Sequence, residues 1–165
     1  MNSNRLLVSC IGIVGCVVMC TGALAQSGQS FRLICQSVGS GTPEPLGDRD
    51  GHSISVAEQS CRVEGGLTDG GILTGTGITE WDKTNGVLLS GSGVTRKPGA
   101  TTAYRTTEAK IALTLSDGKV VGSSGSGRGL FTMATGTAAA LSGKTYTYTF
   151  KSVGPGQTVV DVKID

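Results

Sequence analysis

The sequence predicts an all-β protein in which about eight antiparallel strands, joined in chain order as a meander, form a small closed or nearly closed β-barrel. The alternative for the same strand pattern is a β-sandwich. Three observations support this fold class. Short alternating segments are separated by turn residues, two hairpin signals occur at Asn85-Gly86 and Asp117-Gly118, and no helical pattern of ten residues or more is visible. A barrel of this size is filled with side chains or holds one small ligand.

The amino terminus indicates a secretory signal peptide over residues 1–25. Arg5 supplies the positive charge, residues 6–20 form an uncharged apolar run, and residues 23–25 (Ala-Leu-Ala) are small at the positions that a signal peptidase reads. The apolar run is short for a membrane span. We therefore expect cleavage before Gln26 and a periplasmic or secreted protein.

A minor alternative to simple export is lipidation, because residues 13–16 resemble a lipobox that ends at Cys16. The apolar run continues beyond this cysteine, which favours cleavage further along. The mature chain, residues 26–165, is long enough for a single domain with one modest core. No other long apolar run follows, so no membrane span is expected after signal removal.

The charge balance of the mature chain is close to zero. The sequence has 14 Lys and Arg residues against 12 Asp and Glu, and loss of Arg5 with the leader leaves 13 against 12. The largest basic cluster is Arg96-Lys97. Because a nucleic-acid-binding domain shows a basic stripe, we expect no nucleic-acid partner.

Two cysteines remain after removal of the leader, Cys35 and Cys61. An even number of cysteines in an exported protein predicts a disulfide, because the compartment is oxidising. The bond would join the first predicted strand to the second.

The strands follow one another with short turns. The first is predicted at residues 31–35 and the second at residues 52–64, separated by a loop rich in glycine and proline. The others are predicted at residues 72–81, 87–96, 102–115, 119–129, 145–150 and 158–164. Residues 138–141 are compatible with a single helical turn, which is too short to be stable alone.

A repeat of glycine alternating with serine or threonine occurs at residues 73–79, 89–95 and 124–127. Side chains alternate between the two faces of a strand, so the glycines of each copy share one face. Glycine weakens a strand, and we interpret the repeat as a device for sheet curvature. The bare face is either covered by the aromatic residues of the 145–150 strand or left open for a ligand.

The hairpin that joins two copies of the repeat has two candidate registers. A five-residue loop over residues 82–86 would place Gly77 opposite Gly91 and Gly75 opposite Gly93. A two-residue turn at Asn-Gly itself would shift the register and break this pairing. We favour the five-residue loop.

The sequence offers no clear catalytic or metal-binding set. His52 is the single histidine, and we interpret it as a surface residue at a strand end. Residues 48–51 resemble the start of a calcium loop, but Gln59 stands where the closing glutamate is needed, so we interpret them as a turn. No Gly-x-Ser-x-Gly motif with a late histidine is present. We therefore expect no cofactor.

In strand count and size, the chain resembles small eight-stranded barrels, including lipocalin-like and allene-oxide-cyclase-like proteins. The Gly-x-Trp motif near the first strand of many lipocalins is missing, because the single Trp81 follows Glu80 on a middle strand. The resemblance concerns architecture, which does not fix function.

We expect a non-enzymatic exported barrel that binds a small, partly apolar ligand or a cell-envelope partner. One alternative is an allene-oxide-cyclase-like or other isomerase or cyclase barrel, with Glu80, Glu108 or Arg105 supplying polarity in the interior. Another is a structural envelope protein without a small ligand. The candidate ligand-binding residues are Trp81, Tyr104, Arg105, Glu108, Tyr146, Tyr148 and Phe150.

Overall fold

The structure is a computed structural model that describes residues 29–39 and 41–165. The predicted signal peptide, its cleavage site and Cys16 lie outside the described residues. The described strands are β1 (Ser30–Val38), β2 (Glu44–Pro45), β3 (His52–Glu64), β4 (Ile72–Asp82), β5 (Asn85–Lys97), β6 (Ala100–Ser116), β7 (Lys119–Gly136), β8 (Thr145–Gly154) and β9 (Gln157–Ile164). A short 3-10 helix, Ala139–Leu141, lies between β7 and β8.

The sheet closes on itself. Its strand order is β1-β9-β8-β7-β6-β5-β4-β3, and β1 also pairs with β3, so eight antiparallel strands form a barrel. The predicted meander barrel is confirmed, and the chain does not adopt the sandwich alternative. Strand β2 is an addition to the predicted set: it pairs only with β3, where Pro45 lies opposite Ser53. Proline is tolerated there because β2 is a short edge strand.

The two ends of the barrel differ. At one end, here called the plugged end, the connection between β7 and β8 buries Ala138 and Leu141 against the core, together with Phe131 and Ile164. The opposite end, called the His52 end, carries the loop 39–51 and the β4–β5, β6–β7 and β8–β9 turns. The core is therefore concentrated at the plugged end.

The predicted five-residue loop between β4 and β5 is wrong, because the turn is shorter. Asp82 pairs with Asn85, so the turn consists of Lys83 and Thr84 rather than of residues 82–86. The expected glycine pairing is nevertheless present, with Gly77 opposite Gly91 and Gly75 opposite Gly93. A register shift after Ile78 leaves Leu89 without a partner in the β4–β5 ladder, and this bulge compensates for the shorter turn.

Cys35 and Cys61 form a disulfide, as predicted. They are directly opposite each other on β1 and β3, the pair of strands that closes the barrel. Both are almost fully buried. The bond therefore holds the closing seam of the sheet.

Replacement of both cysteines by alanine is expected to lower the free energy of unfolding by roughly 3 kcal/mol, because the bond closes a loop between residues 26 positions apart. Urea unfolding of the wild type and the double variant measures the difference. Thiol labelling of the denatured mature chain, residues 26–165, provides the control: no reactive thiol is expected without reductant, and two labelled cysteines would contradict the assignment.

Candidate functional site

The glycines of the repeats face the interior of the barrel, the lumen, and the second and third repeats pair across strands with aromatic residues. Of the seven aromatic residues in the chain, five lie directly opposite a glycine on a neighbouring strand. These aromatic–glycine pairs are Trp81–Gly86, Tyr104–Gly93, Tyr146–Gly129, Tyr148–Gly127 and Phe150–Gly125. A large ring lying over a cross-strand glycine shields the bare backbone and sets the register.

The β7–β8 ladder shows how tightly these pairs fit. A Cβ atom at Gly127 would lie 2.6 Å from the Tyr148 hydroxyl and 2.5 Å from the Glu108 carbonyl oxygen. A Cβ at Gly125 would lie 2.6 Å from the Phe150 ring. Each glycine therefore provides the space that the opposite ring occupies, and the aromatic residues of β8 cover the third repeat.

The glycine patch on β4 and β5 is covered by two different side chains. The Tyr104 ring lies over Gly75 and Gly93, while the Leu88 side chain lies over Gly77 and Gly91. Leu88 faces inward opposite Thr79, just before the bulge. The bare face predicted from the sequence is thus mostly filled.

The aromatic side chains leave part of the lumen empty. A cavity of about 220 Å³ lies beside them and is lined mainly by apolar atoms. It reaches the exposed residues Ser37 and Ala57 near the point where β1 separates from β3. Its principal lining side chains are Leu33, Leu73, Leu88, Tyr104, Thr106, Ile111, Phe131, Tyr146, Tyr148, Phe150, Val160 and Val162.

The three tyrosines carry neutral hydroxyl groups. Burial raises the pKa of Tyr104 to about 12, and Gln59 beside its hydroxyl opposes this shift. Burial also raises the pKa of Tyr146 and of Tyr148. The Tyr146 hydroxyl donates to the Arg105 carbonyl oxygen at 3.4 Å. Within residues 29–39 and 41–165, no buried side-chain nitrogen or oxygen lacks a hydrogen-bond partner.

The structure brings together four of the seven predicted ligand-binding residues, because Tyr104, Tyr146, Tyr148 and Phe150 all line the cavity. Neighbouring rings are in contact distance: the centroids of Tyr146 and Tyr148 are 6.1 Å apart, and those of Tyr148 and Phe150 are 6.4 Å apart. The aromatic residues therefore form a continuous wall of the lumen.

Trp81 also points inward, but toward the His52 end and away from the cavity lining. Its indole nitrogen donates to the Ser55 hydroxyl at 2.8 Å, and its ring covers Gly86. Arg105 and Glu108 are exposed on the outside of the barrel. The regular strand assumed from the sequence would have put these two on opposite faces, but a register shift at Thr107 turns both outward.

Several lining residues were not among the predicted set, notably Leu88, Thr106, Ile111 and Phe131. Leu88 and Ile111 belong to strands with bulges, where simple alternation assigns the wrong face. Phe131 lies beyond the end predicted for its strand. Cross-strand glycines mark the inward position of aromatic residues such as Tyr104, which was among the predicted residues, but they do not mark the aliphatic lining residues.

A larger, open depression of about 1230 Å³ lies on the outer face of β1 and β6–β9. Its charged residues are of both signs and include two ion pairs: Arg32 lies 2.8 Å from Asp161, and Arg128 lies 2.7 Å from Glu108. These pairs are exposed, where an ion pair contributes little. The depression is a solvated sheet surface, and the enclosed lumen is the better candidate site.

The interpretation of His52 as a surface residue is wrong, because the residue is buried. Its side chain is only 7% exposed, and each ring nitrogen contacts a carboxylate: Nδ1 lies 2.5 Å from Asp48 and Nε2 lies 2.8 Å from Glu80. Only a protonated ring donates to both. The hydrogen bonds from Asp48 and then Glu80 raise the pKa of His52, and the bond to His52 lowers the pKa of Asp48.

This arrangement joins the 39–51 loop to β4 through His52. The two carboxylates lie on opposite sides of the ring and do not converge on one point. In the part of the chain that the structure describes, no group of three His, Cys, Asp or Glu residues is arranged to hold a metal ion. We assign the cluster a structural role at the His52 end.

The stabilising contribution of His52 is expected to be lost as the pH rises above about 6.5. A histidine whose pKa is raised on folding stabilises the protein fully below its unfolded value of about 6.5, and this contribution is lost as the pH rises through the folded pKa. Melting temperatures of the wild type and His52→Gln between pH 6 and 9 measure the effect. The melting temperature of the wild type should exceed that of the variant at pH 6, and this difference should shrink as the pH rises. A difference that stays constant with pH would contradict the assignment.

Two further findings bear on identity. Across the described residues no helix is both long enough and apolar enough to cross a membrane. No protein-family model matches the chain, and no curated protein is similar to it.

Proposed function

We propose that the protein is an exported, non-enzymatic binding protein that holds a small, partly apolar molecule in the lumen of its barrel. The observation that carries this proposal is the cavity of about 220 Å³ that remains beside the aromatic side chains. An apolar cavity of about 150 Å³ in a protein interior stays dry and binds benzene. Sites for drug-sized ligands measure about 300–1,000 Å³. The lumen therefore suits a single ring or a short chain.

Export is supported by the apolar leader-like sequence and by the disulfide at the closing seam, since such bonds persist in oxidising compartments. Both features are compatible with a periplasmic or secreted protein. The open charged depression on the outside is a less specific surface, so we favour the lumen over a cell-envelope partner as the site of binding.

The charged residues that an enzyme would need in the lumen do not face it. Arg105 and Glu108 are on the outer surface, and Glu80 contacts His52 rather than the lumen. Tyrosine hydroxyls held neutral by burial are poor general bases. Binding is thus the function that the lumen supports best. The alternative that the experiment must exclude is a structural barrel that binds no small ligand.

Isothermal titration calorimetry with hexanol and indole tests the proposal, with glycerol as a polar control. Ala57 lines the cavity at its exposed edge, and its neighbour Val56 points outward. Wild type and Val56→Phe should bind both apolar molecules saturably, while Ala57→Phe, which fills the opening, should bind neither. Thermal unfolding confirms that both variants fold. Absence of binding to the wild type, or equal binding to both variants, would contradict the proposal.

A further inference from the structure

We propose that the ligand site continues out of the lumen along an apolar row on β6, formed by Ile111, Leu113 and Leu115, and that the ligand carries an unbranched apolar chain. This inference rests on the proposed function, because the lumen cavity forms the inner part of the extended site. It names the chemical class of the ligand, a linear amphiphile whose chain enters the barrel.

The row begins inside the barrel and ends in solvent. Ile111 lines the cavity, and Leu113 and Leu115 follow it on the same side of β6 because strand side chains alternate. Exposure increases along the row: Ala109 is buried, Ile111 and Leu113 are half-buried, and the Leu115 side chain is 49% exposed. From Ile111 to Leu115 the row spans about 13 Å.

The neighbouring strands end before the row does. Pairing of β5 with β6 stops at Asn85–Ala112, and pairing of β8 with β7 stops at Lys151–Ser124. Beyond these points β6 and β7 continue as a two-stranded hairpin at the His52 end. Hydrogen bonds from Leu113 N–H to the Thr84 carbonyl and from Ser123 N–H to the Ser152 hydroxyl hold its base, and its tip pairs with no other described strand. The inward side of this hairpin is therefore an open extension of the lumen wall.

The tip of the hairpin is unusually apolar for an exposed surface. Val120 lies opposite Leu115, and the exposed fractions of Val120 and Val121 are 59% and 61%. Asp117, in the turn, and Lys119, directly after it, are exposed and keep the end of the hairpin hydrated. A contiguous exposed apolar surface beside a cavity usually marks a contact with a ligand or partner.

A linear chain fits this shape better than a protein partner or a bilayer. The apolar row on β6 is one side chain wide and leads directly into the cavity. In the described chain no fully buried side-chain nitrogen or oxygen lacks a partner, and the cavity is lined mainly by apolar atoms, so the lumen suits an apolar chain better than a polar headgroup. The apolar chain therefore enters the barrel, and the headgroup stays in water beyond Leu115.

Calorimetric titration with linear alcohols from butanol to dodecanol tests the inference. Each methylene that enters the lumen should raise the affinity about fourfold, and each one that lies along the open row should raise it about twofold, because only part of its surface is covered. Leu115→Ser should leave butanol and hexanol binding unchanged and abolish the gain for longer alcohols. Val87→Ser, at an outward residue that is 53% exposed, is the matched control and should match the wild type.

The outcomes separate the two proposals. If no alcohol binds, the proposed function fails. If short alcohols bind but affinity stops rising with length, or if Leu115→Ser behaves as wild type or weakens all alcohols equally, the extension along β6 is wrong and the lumen site stands. Sedimentation with phosphatidylcholine vesicles provides a second arm. Vesicle binding that depends on Leu115 but persists in Ala57→Phe would overturn the inference in favour of a membrane contact.

Discussion

Replacement of Tyr146 by alanine is expected to lower the free energy of unfolding by about 3–5 kcal/mol, as for other large aromatic truncations in cores. The side chain is 5% exposed and lies at the centre of the aromatic wall. Its ring centroid is 5.2 Å from that of Phe131 and 6.3 Å from that of Tyr104. Removing the ring also uncovers Gly129, so the loss includes contacts with two other strands, β6 and β7.

The matched control is Tyr146→Phe, which removes only the hydroxyl group. Because its bond to the Arg105 carbonyl is long, at 3.4 Å, the expected loss is below about 1 kcal/mol. Urea unfolding of both variants gives the two values. An alanine variant that loses no more than the phenylalanine variant would show that the ring does not fill the lumen.

Replacement of Gly127 by alanine is expected to destabilise the protein by about 1–3 kcal/mol through overpacking. The added Cβ would meet the Tyr148 hydroxyl and the backbone carbonyl of Glu108, and a backbone atom cannot move without distorting β6. Gly127 does not have a positive φ angle, so alanine meets no backbone strain there. Without the clash, the substitution would stabilise by about 0.4–1 kcal/mol, because it restricts the unfolded chain.

Whether Gly127→Ala destabilises or stabilises the protein therefore tests whether Gly127 faces the aromatic residues of β8. Ser126→Ala, at the neighbouring residue on the outer face, is the control and should change stability by less than about 0.5 kcal/mol. If chemical unfolding finds Gly127→Ala neutral or stabilising, the glycines of β7 do not face the aromatic residues of β8.

The strand pattern of this protein is readable from its sequence because local signals agree. Alternation, Asp-Gly at a hairpin turn and the glycine repeats all indicate antiparallel strands, and β3 has the predicted bounds, His52–Glu64. Asp117 and Gly118 both have positive φ angles, as the predicted tight hairpin turn requires. The two cysteines predicted a bond between the first two strands, and β1 and β3 are paired there.

Register and facing were harder to predict because bulges are set by long-range pairing. The turn at Lys83-Thr84 does not have the glycine or asparagine that marks a tight hairpin, so the sequence favoured the five-residue loop 82–86, which contains Asn85-Gly86. Gly86 serves a different purpose, since it lies under the Trp81 ring. The glycine pairing survives only because the bulge at Leu89 offsets the shorter turn.

The candidate site was predicted in its aromatic part only. The aromatic residues of β8 follow simple alternation, so their common face could be inferred. The outward position of Arg105 and Glu108 depends on the register shift at Thr107, for which the sequence has no clear marker. The carboxylates around His52 come from a loop and from another strand, and only the folded barrel brings them together.

A crystal structure under xenon pressure tests most directly the claim that the glycine faces and aromatic rings leave an apolar cavity in the lumen. Xenon enters dry apolar cavities of this kind. A xenon atom is expected between Tyr104, Tyr148 and Ile111 in the wild type. A lumen closed by side chains, or one filled by ordered water without xenon, would contradict it.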